Sequence, residues 1–281
     1  MASFDLIVAT VDRVDELERL LASLERQTHR AFRVLVVDQN PDDRVERILH
    51  EHERLGLKSL RAERGLSRAR NAALPHVHAD VLAFPDDDCV YPDDLLARVA
   101  QRFDADPTLD GLTGREVDAH TISSPSWARD AATLTRDNLW NRAISFTIFL
   151  RASLVARVGS FDERLGLGAE SPWCSGEEID YLVRALDTGA RIEYDPEIVV
   201  VHREQTRARA TLRAIGAREG ASLGYILRKH RYPLRTVGRM LLRPVGGALL
   251  AFARRDRARV AFHLSTLGGR LRGYRRAATA S

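Results

Sequence analysis

The sequence predicts an α/β fold with a mostly parallel central sheet and a basic helical tail, and three observations carry that prediction. A short apolar run, an amphipathic stretch and a second apolar run follow one another within about forty residues, the pattern of a βαβ unit with a right-handed crossover. A third apolar run ends in three consecutive aspartates, Asp86-Asp87-Asp88. The last quarter of the chain has apolar residues at helical spacing among many arginines.

Taken in order, Leu6-Ile7-Val8-Ala9 is the first buried strand. Residues 15–27 carry Leu17, Leu20, Leu21 and Leu24 at i, i+3, i+4 and i+7, one apolar helix face. Phe32 to Val37 is the second strand and stops at Asp38, and a helix is expected over residues 43–53. A helix start at Ser67 follows Gly65. Val81-Leu82-Ala83-Phe84 is a third strand, and Leu95, Leu96, Val99 and Phe103 mark the helix after it. Residues 111–161 are harder to read, apart from a strand-like Ile144 to Phe149. A helix is expected over residues 177–188, then two strands, Arg191 to Tyr194 and Ile198 to Val201, separated by Asp195-Pro196. Beyond His202 the spacing turns helical, with Leu212, Ile215, Leu223, Ile226 and Leu227, then Val260, Leu264, Leu267 and Leu271, as apolar faces. The division expected is a catalytic body over residues 1–205 and an Arg-rich helical extension over 206–281.

The 281 residues carry 43 basic and 39 acidic side chains, a formal charge of +4. From Arg203 onward there are 19 basic and 3 acidic residues, so an acidic body precedes a strongly basic tail. Such a tail suits an anionic surface or a phosphorylated substrate, or it is a solvated helix face. Tyr225, Tyr232 and Tyr274 are too sparse for single-strand nucleic-acid binding. No apolar run reaches the roughly 18 residues of a membrane span; the stretch from Met240 to Phe252 is interrupted by Arg243 and Pro244. Met1-Ala2-Ser3-Phe4-Asp5 does not read as a secretory signal, and two cysteines, Cys89 and Cys174, form no disulfide framework. A cytoplasmic location is the expectation.

Asp86-Asp87-Asp88 is the sharpest chemical feature. Three carboxylates after an apolar strand call for positive charge, and the carboxyl end of a parallel strand is where α/β folds bind ligands. A hard divalent cation with a bound diphosphate meets both facts; a charged helix-entry loop is the ordinary alternative. In Gly176-Glu177-Glu178-Ile179-Asp180 the carboxylates open a helix, as caps or as a general base. His202, at a strand end, is structural or a third metal ligand. Asp38 is a turn residue or an acceptor for a nucleotide base or ribose. The segment from Gly65 to Asn71 sets arginines beside a helix start, suited to phosphate. No GxGxxG, GxxxxGK[ST] or GxSxG occurs, which disfavours a dinucleotide dehydrogenase, a P-loop NTPase and an α/β-hydrolase.

These segments, with Val158-Gly159-Ser160-Phe161-Asp162-Glu163 and Val201-His202, stand in the order found in the family 2 glycosyltransferases, which the chain resembles over residues 4–205. The resemblance implies the GT-A fold, an inverting transfer from a nucleotide-diphosphate sugar (UDP being the commonest donor), and Mg2+ or Mn2+ as cofactor. It implies nucleotide-sugar contacts by Thr10, Val11, Arg13, Asp38, Gly65, Arg70, Asp86 and Asp87. It implies metal ligation by Asp86, Asp88 and His202, and a catalytic base at Glu178 with Glu177 as competitor. Relatives that build cell-surface polysaccharide act on glycan or polyprenyl-linked acceptors, so the basic tail is expected at the inner face of the plasma membrane. Two departures stand out. Ala9-Thr10-Val11-Asp12 replaces the family's Pro-Thr-Tyr-Asn, and Glu178 replaces an Asp, displacing the carboxylate by about 1.5 Å. A sugar nucleotidyltransferase lacks support because no Gly-rich basic loop follows the first strand. A catalytically inactive binding protein is the other alternative.

Overall fold

The computed structural model describes residues 1–117, 127–202 and 212–277, and the boundary expected near residue 205 lies outside them. The chain forms two compact units, Met1–Phe161 with Tyr181–Glu204, and Asp162–Asp180 with Gln205–Ser281. The short segment ahead of residue 181 therefore groups with the tail.

The first unit is built on one sheet. Strands β1 (Phe4–Thr10), β2 (Phe32–Asp38), β3 (Leu57–Arg61) and β4 (Val81–Ala83) form its parallel half, in the order β3-β2-β1-β4. Helices α1 (Val14–Glu25), α2 (Glu46–Glu51) and α3 (Leu66–Ala73) connect them. The sheet continues through strands β8 (Ile148–Arg151), β6 (Gly111–Val117), β9 (Ile192–His202) and β5 (Cys89–Val90), with β7 (Ala132–Thr133) also on β9. Of these pairs only β6 and β9 run parallel. Helix α4 (Leu95–Ala105) follows β5, and α5 (Ala152–Val158) follows β8. Leu17, Leu20, Leu21 and Leu24 of α1 are fully buried with Phe4, Leu6 and Val8 of β1 and Val34 and Val36 of β2. The face read from the 3.6-residue spacing is the face that packs.

Register brings the functional ends together. Thr10 pairs with Asp38 across β1 and β2, so both strands stop level. Cys89 pairs with His202 across β5 and β9, which sets the aspartate row beside the histidine.

Two expectations are corrected. Ile144 to Phe149 is not one strand: a 3-10 turn over Ser145–Thr147 precedes β8, and the Thr147 hydroxyl donates to the carbonyls of Gly114 and Ile144 at 3.1 and 3.0 Å. The two strands around Asp195-Pro196 are a single β9. Proline cannot donate to a ladder, and the chain accommodates it by a register shift against β6 between Thr113 and Arg115, where Arg115 Nε donates to the Pro196 carbonyl at 2.6 Å.

The second unit holds helices α7 (Leu212–Lys229), α8 (Leu234–Ala253) and α9 (Arg257–Ala277), and receives the start of α6 (Glu177–Asp187). Here too the expected pattern is overturned. Leu264 and Leu271 of α9 are largely exposed, and its buried stripe is Phe262, Thr266, Gly269, Gly273 and Ala277. Against it lie Gly216, Gly220 and Gly224 of α7. A Cβ on Gly224 would stand 2.1 Å from the Arg270 carbonyl oxygen, and one on Gly273 would stand 1.9 Å from that of Ala221. Backbone packs on backbone, so the periodicity of large apolar residues says nothing about this interface. Helix α8 continues through Pro244.

Within the first unit, Asp5 is fully buried and ties β1 to β2 and to the turn before β4. It accepts from Arg33 Nε at 2.5 Å and Nη2 at 2.9 Å, and from the His78 and Ala79 amides at 2.7 and 2.9 Å. Burial pushes its carboxyl up, but these bonds outweigh burial and hold it below its ordinary 3.8. A depressed carboxylate stabilises the fold above its unfolded pKa, and that contribution fades as pH falls through the folded value. Asp5→Asn is expected to cost about 3 kcal/mol at pH 7. The gap to the native protein should narrow as pH falls below 3.8, where the unfolded chain takes up the proton first, and should close only once pH passes the lowered native value and the native carboxyl is protonated as well. Urea unfolding at pH 7 and near pH 3 measures both.

Candidate functional site

The carboxyl ends of β1, β2 and β4 converge on the aspartate row. Asp86 accepts from Ser145 Oγ at 3.2 and 3.3 Å and faces Arg70 Nη2 at 3.4 Å. Arg70 leaves α3 almost fully buried, its guanidinium 5.6 Å from the Phe84 ring and 5.4 Å from that of Phe161. A cation so enclosed keeps its direction without water, and the aromatic faces offset part of its desolvation. Arg13, just past β1, sends Nη1 to Asp87 at 3.0 Å and to Asp88 at 2.5 Å. It is the residue that joins the loop after β1 to the aspartates.

His202, at the end of β9, bridges two carboxylates. Its Nε2 lies 3.1 Å from Asp88 Oδ1 and its Nδ1 lies 3.1 Å from Glu116 Oε1. Phe146 stacks on the ring, with centroids 4.8 Å apart and planes 16° apart. Burial alone would favour the neutral imidazole, but the bonds to Asp88 and Glu116 outweigh it and raise His202 to about 10. Burial works against the charged form of Asp88 too, yet His202 and Arg13 hold its carboxyl below the ordinary value. Asp87 behaves oppositely: burial pushes it up to about 7, Asp88 adds to the rise, and Arg13 works against it.

Among the described residues, Asp88, Cys89 and His202 place one ligand atom each within 4.8 Å of the others. Burial, followed by the charges of Asp86 and Asp88, raises the Cys89 thiol well above its ordinary value. That leaves an oxygen and nitrogen donor set. The carboxylate oxygen suits Mg2+ or Mn2+, and the imidazole adds a nitrogen donor of the kind transition ions accept. The Arg13 guanidinium and the His202 ring stand where positive charge is called for, and a bound cation would take the imidazole in its neutral form. The residues therefore fit a divalent ion. Asp86 stands outside the trio, turned to Arg70 and Ser145.

The neighbouring groups form a second cluster. Asp38, at the end of β2, is 1% exposed; its Oδ1 accepts from the Asn40 amide at 2.9 Å and Nδ2 at 2.7 Å, and Oδ2 lies 3.0 Å from Arg61 Nη1. The Gly65 amide donates to Gln39 Oε1 at 2.7 Å, and Gly65 itself has φ of +139°, a conformation other residues avoid. Thr10 is buried beside Asp87, while Val11 is partly exposed. Asp12 holds the left-handed conformation, φ +59°, with its amide on Asn40 Oδ1 at 2.8 Å and its carboxylate on Arg44 and Arg64.

Glu177 and Glu178 open α6 within the second unit, where Glu177 is 5% exposed and Glu178 is more open. Sequence reasoning passed over Glu116, Ser145 and Phe146. Each acts through a neighbour distant in the chain, and only sheet pairing joins them to the motifs.

A family model described as glycosyl transferase family 2 matches residues 5–156, more than half of the chain. The chain is 27% identical over 261 residues to a pre-mycofactocin glycosyltransferase of Mycobacterium tuberculosis, covering 88% of this chain and 51% of that one. It thus spans about half the length of the curated relatives it matches. Among solved structures it is similar to the mannosyltransferase PcManGT from Pyrobaculum calidifontis in complex with GDP-Man and Mn2+, with TM-score 0.66 and 18% identity over 97% of this chain and 87% of that one. It is also similar to S. aureus TarS 1-349 in complex with UDP-GlcNAc, with TM-score 0.61 and 17% identity over 96% and 92% of the two chains. The GT-A fold expected from the sequence is the fold observed.

Replacing Asp88 by Asn removes the charge facing His202 Nε2. The His202 ring should then titrate closer to the ordinary histidine range than the value near 10 set by its present surroundings. Its ring-proton NMR shifts, followed against pH in metal-free protein, measure this. An unmoved titration contradicts the charge coupling.

Proposed function

The chain belongs to glycosyl transferase family 2, and we propose that it is an inverting, metal-dependent glycosyltransferase that moves a sugar from a nucleotide-diphosphate donor to a hydroxyl of a glycan or lipid-linked acceptor. The observation that carries this reading is the row Asp86-Asp87-Asp88 meeting His202, Arg13 and Arg70 at the carboxyl end of the sheet. The nucleotide sugars held by the two solved neighbours support the donor class, and UDP is the expected nucleotide. Catalysis is assigned to residues 1–205.

Asp38 accepts hydrogen bonds from the base, and Thr10, Val11, Arg13 and Gly65 line the nucleotide. Arg70 and Arg13 hold positive charge toward the diphosphate, with Asp86 and Asp87 orienting the ribose and the arginines. Asp88 and His202 would hold Mg2+ or Mn2+, joined by Asp86 on turning from Arg70 and Ser145, and the ion when bound would supply Lewis-acid neutralisation of the departing diphosphate. Glu178 takes the proton of the acceptor hydroxyl. The hydroxyl oxygen forms its bond to the anomeric carbon from one face while the bond to the diphosphate breaks on the other, and the diphosphate leaves with the electron pair. Glu178 is favoured over Glu177 as base because it is the more accessible of the two.

The synthesis of cell-surface polysaccharide, on the cytoplasmic face of the membrane, is the setting proposed. No helix among the described residues is long and apolar enough to cross a membrane. Helix α8 nevertheless exposes Leu234, Leu242, Leu249 and Phe252, each at least 67% exposed, beside the exposed Arg235, Arg239 and Arg243, and it contains no acidic residue. An apolar strip edged by cations is how a helix lies in an anionic interface. Membrane attachment is assigned to residues 206–281 on that ground.

Three measurements test the proposal. UDP, GDP, dTDP and CDP, each with and without Mn2+, are compared in thermal unfolding; one of them, expected to be UDP, should raise the midpoint only with Mn2+. No rise with any nucleotide in folded protein overturns the donor assignment. Glu178→Gln should lower kcat by about a hundredfold or more with nucleotide stabilisation intact, and full activity in this variant removes Glu178 as the base. Sedimentation with phosphatidylglycerol-containing vesicles should capture the native chain, and Leu249→Ser with Phe252→Ser should release it. Equal capture by purely zwitterionic vesicles, or a soluble dimer with no capture, overturns the membrane assignment.

A further inference from the structure

Within the second unit, the end of α7 meets the segment that carries Glu177 and Glu178 at three successive points. The Trp173 indole stacks on the Tyr225 ring, with centroids 4.7 Å apart and planes 18° apart. Gly176, immediately before α6, has φ of +85°, and a Cβ on it would stand 2.4 Å from Ile226 Cδ1. Only glycine satisfies both the conformation and the approach. One turn later Asp180 is fully buried, and its Oδ1 lies 2.5 Å from Lys229 Nζ and 2.8 Å from His230 Nε2. Lys229 also donates to Asp162 Oδ2 at 2.7 Å, and Asp162 in turn holds Arg164 at 2.9 Å.

Asp180 acts on α6 through its backbone as well. Its amide donates to the Gly176 carbonyl at 2.9 Å, the bond that closes the first turn. Side chain and main chain of one residue thus fix the turn on which Glu178 sits. At roughly 100° per residue, positions 178 and 180 lie about 200° apart around the helix. Tying Asp180 to α7 therefore turns Glu178 to the opposite side. Apolar contacts would hold two helices together equally well. Hydrogen bonds between charged groups add direction.

We propose that the carboxyl end of α7, through Tyr225, Ile226, Lys229 and His230, is a positioning element for the transfer: it fixes the first turn of α6 so that Glu178 meets the acceptor hydroxyl in one orientation. The proposal rests on Glu178 being the base, and it makes the tail part of the catalytic apparatus as well as an attachment. Lys229 and His230 are positioning residues, since they act through Asp180.

The test compares the native chain with Lys229→Met, His230→Leu, His230→Gln and Tyr225→Leu, the last removing the stack without leaving a buried charge unpaired. Nucleoside diphosphate release is followed from UDP-GlcNAc, UDP-glucose and GDP-mannose with Mn2+, using whichever the native chain turns over. Lys229→Met, His230→Leu and Tyr225→Leu should lower kcat by about tenfold or more, since small misplacements of a reacting group are costly, while donor KM stays within about twofold. His230→Gln keeps a side-chain N–H for Asp180 and should recover most of the lost rate. Hydrogen exchange at the Asp180 amide, which needs no turnover, should quicken about tenfold in Lys229→Met as that turn opens more often.

Unchanged kcat and unchanged Asp180 exchange in folded variants overturn the proposal. So does a parallel loss of kcat and donor affinity, which marks a general loss of structure. Glu178→Gln is run alongside: full activity there removes the base reading itself, whereas a loss there with full activity in Lys229→Met removes only the positioning role.

Discussion

Four carboxylates, Asp86, Asp87, Asp88 and Glu116, gather at the carboxyl end of the sheet, and the burial of that much negative charge governs what surrounds them. Carboxylates taken out of water must be paired, protonated or neutralised by a cation. Pairing and a shift toward the protonated form occur side by side. Arg70 reaches Asp86 from between two aromatic rings, Arg13 reaches Asp87 and Asp88, and His202 bridges Asp88 and Glu116. Asp87, 5% exposed, is raised by burial to about 7. The loop after β1, the burial of α3 and the pairing of β5 with β9 all serve to deliver these counter-charges. Carboxylates and counter-charges thus alternate across the site.

Much of this was legible because it is local. The leucines of α1 repeat at helical spacing, β1 and β2 are short apolar runs with clear ends, and an aspartate triplet after a strand is conspicuous in any sequence. The βαβ rule then places the ends of parallel strands on one side of the sheet, which is how Asp38 and Asp86 are read as ligand-facing, while Thr10 joins them through the family resemblance. Glu116 could not be found in this way. It belongs to the site because β6 pairs with β9, and nothing within ten residues of it announces that pairing. Pro196 misled for a different reason. A proline inside an apolar run ordinarily ends a strand, but a register shift beside Gly114 absorbs it, where a side chain would strike the Ile198 carbonyl oxygen at 2.1 Å.

The tail was misread because the contact of α7 with α9 runs through glycines on both helices. Leu264 and Leu271 repeat at the spacing expected of a buried face, yet they are exposed, and the buried stripe sets Gly269 and Gly273 among Phe262, Thr266 and Ala277. Apolar periodicity detects side chains that need covering. It does not detect backbones that have come close enough to need none, an arrangement in which Cα–H groups contact carbonyl oxygens directly. Leu249 and Phe252 of α8 and Leu264 of α9 are thereby left exposed among arginines.

Helices joined by their backbones cannot drift apart in sequence independently. A methyl group added at Gly224 or Gly273 strikes a peptide of the partner helix, which no rotamer change can move aside. Variation is thus confined to the outer faces, where neighbouring positions are free to change charge and hydrophobicity without disturbing the frame. The second unit is in that sense a fixed chassis with an exchangeable surface. Descendants of this chain can retune what the tail touches, residue by residue, while the geometry that reaches back to α6 stays as it is.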